Sequence, residues 1–276
     1  MKPYNTIHQE FEPPEQLKDS IKCFWYNDSN FGATETSFEV IPDGNAEIIF
    51  HFGNGCSIYH DEILQELPSP FLVGLLNEPV HFYTKNRLQI IAVRCFPWTV
   101  FDLLGLVSNK NGVSVFEHPI AELHSALTQF INENKIEEAI HLIKEYFTNI
   151  HSKIPTDSSL YKAGVAMRKA NGTISVSQVA DAAHSTVRTL ERKFKQSSGH
   201  TVKDVSGLMR FEQVRNQLWL KPNSNLAELA IELGYTDQAH LSKEFKRYSG
   251  TTPAKFAQKA KKEQISDSDF VAFLQS

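Results

Sequence analysis

The hydrophobic pattern of the chain changes period near Pro97. Before it, apolar residues come in short runs. Glu47-Ile48-Ile49-Phe50-His51-Phe52 is fenced by Pro42-Asp43-Gly44-Asn45 and by Gly53-Asn54-Gly55. Leu88 to Phe96 forms a second run, and 71–74 and 80–83 form two shorter ones. Runs of this length between turn residues predict strands, and several in succession predict a barrel or sandwich. After Pro97 the spacing becomes three and four. Val100, Leu103, Leu104 and Val107 predict one helix, Leu123, Leu127, Phe130 and Ile131 a second, and Ile136, Ile140, Ile143 and Phe147 a third. Such helices complete a β core or form a dimer face; completing the core is the commoner outcome.

A polar stretch around Pro155 reads as a linker, with Asp157 or Ser158 capping a helix that Asn171-Gly172 ends. From there to about Gln258 the pattern is helical. The expected division is a β-rich domain with trailing helices (1–154), an all-α domain (155–258) and a charged tail (259–276) ending in the apolar cluster Phe270–Leu274. The fold class is α+β in two domains.

The helical part contains one helix twice. Leu190-Glu191-Arg192-Lys193-Phe194-Lys195 is followed by Ser198-Gly199, and Leu241-Ser242-Lys243-Glu244-Phe245-Lys246 by Ser249-Gly250. Leu190 to Leu241, Phe194 to Phe245 and Gly199 to Gly250 are each 51 residues apart. Each copy follows a shorter helix and a turn, the layout of a helix-turn-helix reader of DNA. Ser175 with Gln178 reads as a capping box, and Asn225 with Glu228 as a cap pair. Thr186 and Asp237 cap the second helix of each unit. Gly234 supplies a left-handed turn. With Val187, Leu190 and Phe194 facing the core, Arg188, Thr189 and Arg192 point outward, with Lys195 at the edge. In the second unit Ala239, His240, Lys243, Lys246 and Arg247 face out, with Gln238 at the helix start. Guanidinium pairs with guanine, glutamine with adenine, and alanine with the thymine methyl. Thr201 to Leu220 reads as one helix between the units, with Arg210 and Arg215 as its charge.

Charge supports this division. Residues 1–154 carry 10 basic and 20 acidic residues, and residues 155–276 carry 18 and 12. The second half is the one fitted to a polyanion.

These residues resemble the AraC/XylS family of transcriptional regulators over roughly 173–256. The likeness is carried by Arg188 to Lys195, Arg210-Phe211-Glu212 and the stretch from Leu229 to Arg247 with Gly250-Thr251-Thr252-Pro253. It implies two helix-turn-helix units on adjacent major grooves near a promoter. It places base contacts at Arg188, Glu191 and Arg192, then at Gln238, Ala239, His240, Ser242 and Lys243. Arg210 would serve the DNA backbone or an inter-helix bond. His184 departs from the family, where a glycine is common. The segments 41–50 and 93–97 are similar to an uncharacterised domain found on some such regulators, which implies a cupin-like barrel with a sensing or dimerising role.

Other chemistry finds little support. His51, His60 and His81 form no pair spaced for a metal, and no CxxC is present. The expectation is no metal, cofactor or catalytic residue. Cys95 beside Arg94 is either a reactive thiol or inert packing, and packing is favoured. No secretory signal or membrane span is visible, so a cytoplasmic location is expected. Double-stranded DNA is the principal partner. A small-molecule effector, a homodimer and RNA polymerase contact by an activator stay open. The alternative reading is a cupin-type enzyme or ligand-binding protein with a helical appendage.

Overall fold

The computed structural model describes residues 4–108, 112–151 and 158–265. Most of the expected linker and the Phe270–Leu274 cluster lie outside them. Nine strands come first, β1 (Tyr4–Phe11), β2 (Ile21–Asn30), β3 (Thr36–Val40), β4 (Ala46–Gly53), β5 (Ser57–His60), β6 (Ile63–Glu66), β7 (Phe71–Val73), β8 (Val80–Thr84) and β9 (Arg87–Cys95), and a tenth, β10 (Val113–Ser114), follows the first α-helix. They make two antiparallel sheets, ordered β1-β2-β9-β4-β7-β10 and β3-β8-β5-β6. The expected strands in 47–52, 71–74, 80–83 and 88–96 are all there.

Register shows why the central strands read as apolar runs. Trp25 pairs with Ala92, and Ala92 with Ile49; one step along, Phe24 pairs with Val93, and Val93 with Ile48. The first row packs toward the second sheet, with Phe38, Phe71 and Phe82. The second packs beneath α2 (Leu123–Asn132) and α3 (Ile136–His151), against Leu127, Ile140 and Phe147. Both faces of the large sheet are therefore buried, so alternation is lost. The helices behind the sheet complete its core.

α1 (Pro97–Leu104) lies between the two halves of the chain. It stops at Gly105, whose φ of 65° ends the helix. Val107, expected on its apolar stripe, lies beyond this stop and is exposed. Six helices follow: α4 (Ser159–Lys169), α5 (Val176–Ala182), α6 (Val187–Ser198), α7 (Val202–Leu220), α8 (Leu226–Glu232) and α9 (Gln238–Ser249), then α10 (Pro253–Ile265) closes the described chain. α10 packs on α7 and buries Ala260, so the segment expected as tail from residue 259 begins as helix.

The halves are packed together. Trp98 of α1 and Leu75 of the β7–β8 loop join the core of the helical domain. Arg215, read from the sequence as part of the charge of α7, is 1% exposed and lies near Asp43 and Arg94 of the β domain. There Arg94 pairs with Asp43 and stands 3.3 Å from Glu47. Lys22 reaches Glu212 of α7 at 3.0 Å.

Candidate nucleic-acid interface

Each helix-turn-helix unit begins with a cap and ends with a left-handed residue. Ser175 and Gln178 make the expected reciprocal box, at 2.9 and 3.3 Å. In the second unit, Asn225 accepts from the Ala227 N–H at 2.9 Å while its amide donates to Glu228 at 3.1 Å. Thr186 accepts from the Thr189 N–H at 3.2 Å, and Asp237 from the His240 N–H at 2.7 Å. Each satisfies an amide that the helix leaves without a partner. α7 adds a box that the sequence reading missed, Thr201 with Asp204, at 3.0 and 3.1 Å. Its signal was present as a threonine three residues before an acidic one.

The two turns are not equal in length. Ser175 and Asn225 are 50 apart, but Thr186 and Asp237 are 51 apart. The extra residue falls after the shared part of the turn. The Ser185 N–H donates to Ala180 O at 2.9 Å, and the Tyr235 N–H to Ala230 O at 2.8 Å. His184 and Gly234 are left-handed at matching places, with φ of 47° and 72°. The departure at His184 thus leaves the turn intact.

The second helices, α6 and α9, bury Leu190 and Phe194, and Leu241, Phe245 and Tyr248. Arg188, Arg192 and Lys195 are exposed on α6, as are Gln238, Ala239, His240 and Lys243 on α9, with Ser242 half-buried beside them. Cationic and amide groups on such a surface suit phosphate and base edges.

Four of the expected site residues are engaged within the protein. Glu191 accepts from the Val202 N–H at 3.3 Å, at the first turn of α7. Arg210 donates to Gly172 O at 3.0 Å, reaches Glu244 at 3.4 Å and lies 5.2 Å over the Tyr235 ring. It is a strut across both units, the inter-helix role left open for it. His240 accepts from the Thr236 N–H at 3.4 Å through Nδ1 and meets Tyr235 edge-on. Arg247 donates to Asn77 of the β domain at 3.4 Å.

Among the described residues, no group of three or more His, Cys, Asp or Glu is placed to hold a metal. Cys23, Cys56 and Cys95 are buried, and burial pushes the thiols of Cys23 and Cys56 up to about 12 and Cys95 still higher. Cys95 is packing rather than a reactive thiolate. No helix among the described residues is long and apolar enough to cross a membrane.

Two capped helix pairs with exposed cationic second helices define a helix-turn-helix DNA-binding protein. Residues 179–259 match a helix-turn-helix domain, and residues 9–110 match a domain of unknown function, DUF6597. No curated protein matches the chain. Among solved structures the chain is similar to ToxT from Vibrio cholerae, at 11% identity over 85% of this chain and 98% of that one, with a TM-score of 0.44. It is also similar to a transcriptional regulator with an AraC-type DNA-binding domain from Chromobacterium violaceum, at 20% identity, 37% and 91% coverage and a TM-score of 0.35. A third is the C-terminal domain of AraT from Geobacillus stearothermophilus, at 21%, 37% and 84%, with 0.34. A helix-turn-helix domain thus occupies residues 179–259, and a DUF6597 domain precedes it. The chain carries a helix-turn-helix domain, the kind of module that docks on DNA.

Proposed function

We propose that the chain is a one-component regulator that reads two adjacent major-groove segments, one with α6 and one with α9. The division at about residues 154 and 258 separates the β-rich sensing or dimerising part from this reader. The observation that carries the reading is the contrast between the two helices. They share buried Leu and Phe at matching positions yet expose Arg188, Arg192 and Lys195 on one, and Gln238, Ala239 and Lys243 on the other. Equal cores with unequal surfaces fit an asymmetric site of two unlike half-elements.

Arg188 and Arg192 are assigned to base edges and Lys195 to phosphate. Gln238, Ala239 and Lys243 meet bases in the second segment, with His240 and Ser242 at its margin. Glu191 and Arg210 support the reader from within. The β domain takes a small-molecule effector, a second copy pairs with the first, and an activator bound near a promoter meets RNA polymerase. Such a protein works in the cytoplasm without catalysis of its own.

Selection of genomic fragments by the purified full chain tests the reading. The expected result is an asymmetric sequence with two short elements about one helical turn apart. Fragments sharing no sequence, or a single element untouched by changes in α9, would refute it.

A further inference from the structure

The two sheets enclose an open cavity of about 50 Å³. Its walls are apolar and largely aromatic, with Trp25, Phe38, Phe71 and Phe82 among them. One end is polar and carries Asp43, Asn45, Glu47 and Arg94. Arg94, the one cation among the described residues of the cavity's lining, is matched there by Asp43 and Glu47, so the lining offers no uncompensated positive charge. Asn45 is 5% exposed, and its side-chain Nδ2 has no hydrogen-bond partner among the described residues. A buried amide donor without an acceptor is costly unless something supplies one.

The same walls touch the DNA reader. Gly74 and Leu76 line the cavity. They belong to the β7–β8 loop, residues 74–79. Within that loop the Leu75 carbonyl stands 3.1 Å from His200 Nε2, just after α6. Asn77 accepts from Arg247 at 3.4 Å, and Pro79 lies against Gly250, both at the end of α9. One short loop therefore joins the cavity to both helix-turn-helix units.

Resting on the effector reading above, we infer that this cavity binds an uncharged, ring-bearing molecule with a hydrogen-bond acceptor, and that the 74–79 loop carries its occupancy to both readers. Aromatic walls favour a ring. The free Asn45 donor takes the acceptor. The paired Arg94 leaves no counter-charge for an anion, so a carboxylate would enter unpaired. A volume of about 50 Å³ is short of a ring, so binding displaces a wall. Leu76 and its loop form the wall whose far side rests on the reader. Asn45 also borders the cleft toward Met209 and Glu212 of α7, placing the ligand's polar end near the domain junction.

The test uses the full chain with benzamide and benzoate, a neutral and an anionic ring of matched size. Binding is followed by calorimetry and by amide hydrogen exchange. Benzamide is expected to bind at least tenfold tighter than benzoate, and Asn45→Ala to weaken benzamide about tenfold while benzoate hardly changes. Benzamide is expected to alter exchange in residues 74–79 and at the end of α9. Asn77→Ala is expected to bind benzamide at least as tightly, because the loop then moves without disturbing Arg247, and to lose the change in α9. Equal or tighter binding of benzoate would overturn the ligand class. Binding confined in its effects to the sheets would overturn the coupling. Failure of both probes to bind would overturn the site and the effector reading, while DNA selection by α6 and α9 would stand apart.

Discussion

Gly164 of α4 lies so close to Trp98 of α1 that a methyl group in place of its hydrogen would overlap the indole ring. Trp98 is 1% exposed and belongs to the core of the helical domain although it comes from the other half of the chain. The absent side chain is what lets the β domain dock. Gly164→Ala adds helix propensity, which favours the folded state by roughly 1 kcal/mol. The overlap opposes it, and overpacking of a close core costs about 1–3 kcal/mol. The expected outcome is a net loss of stability. Denaturant unfolding followed by tryptophan fluorescence should show the transition at lower denaturant. An unchanged or raised midpoint would show that Trp98 moves aside freely.

Arg210 separates a strut from a phosphate contact. Its guanidinium is already held by Gly172 O, Glu244 and the Tyr235 ring. Arg210→Ala should therefore cost stability, about 2 kcal/mol for a charge-assisted bond lost from a partly buried site. DNA affinity should drop on all sequences alike, because the two units lose their fixed relation. The salt dependence of binding should stay as it is. A slope reduced by about one would instead mean that Arg210 neutralises a phosphate.

The elements legible from sequence were those with one dominant local signal. Strands β4 and β9 are fenced by turn residues, and the caps at Ser175, Thr186 and Asp237 sit beside clear periodic runs. The outward stripe on α6 followed from Leu190 and Phe194, which are buried, whereas Val187, read with them as core-facing, is exposed at the first turn. What was not legible depends on contacts distant in sequence. Arg215 reads as a surface charge until Asp43 and Arg94 arrive from the β domain. Arg247 lies at the end of a well-read helix, yet only the fold brings Asn77 to it, 170 residues away. Glu191 entered the base-reading set through the family resemblance, but its carboxylate turns back to the next helix. Periodicity sets the direction of a side chain within about one position, not its partner.

Glu191 and Arg192 are neighbours with different expected roles. Arg192→Ala should cost about 1–3 kcal/mol at the cognate site and relax preference at one base. Glu191→Ala removes the carboxylate that accepts from the Val202 N–H. It should lower stability by about 1 kcal/mol, as for a lost cap, and leave base preference unchanged. Binding to a set of single-base operator variants, with melting curves for both proteins, distinguishes them. A changed preference for Glu191→Ala would restore it to the base-reading set.

The two carboxylates around Arg94 should respond oppositely. Burial raises the Asp43 carboxyl, but Arg94, Arg215 and Lys22 outweigh it and hold the group below its ordinary range. Burial dominates at Glu47, whose carboxyl is pushed up despite Arg94. Asp43 thus adds stability that is full above its unfolded value, about 3.9, and is lost as pH falls through the lower folded value. Glu47 acts in reverse, and stability declines as pH rises from about 4.3 through its raised folded value. At pH 7, Asp43→Asn should cost about 3 kcal/mol, since it strands buried guanidinium groups. Glu47→Gln should be near neutral or stabilising. Melting temperatures across pH 3 to 7 check this, with the Asp43→Asn deficit shrinking toward the acid end. A larger loss for Glu47→Gln than for Asp43→Asn would reverse the assignment.

His184 occupies a left-handed position, with φ of 47°, where the second unit has Gly234 at 72°. A residue with a Cβ is strained in this region, at roughly 1–2 kcal/mol. Glycine removes the strain but gains freedom in the unfolded chain, which returns somewhat under 1 kcal/mol. His184→Gly should therefore stabilise the protein by about 0.5–1 kcal/mol. Gly234→Ala should destabilise it, because the new Cβ meets the same strain at its own turn. The His184 side chain is exposed, so no packing is lost. Equilibrium unfolding of both variants measures the pair. Loss of stability in His184→Gly would mean that the imidazole itself holds the first turn.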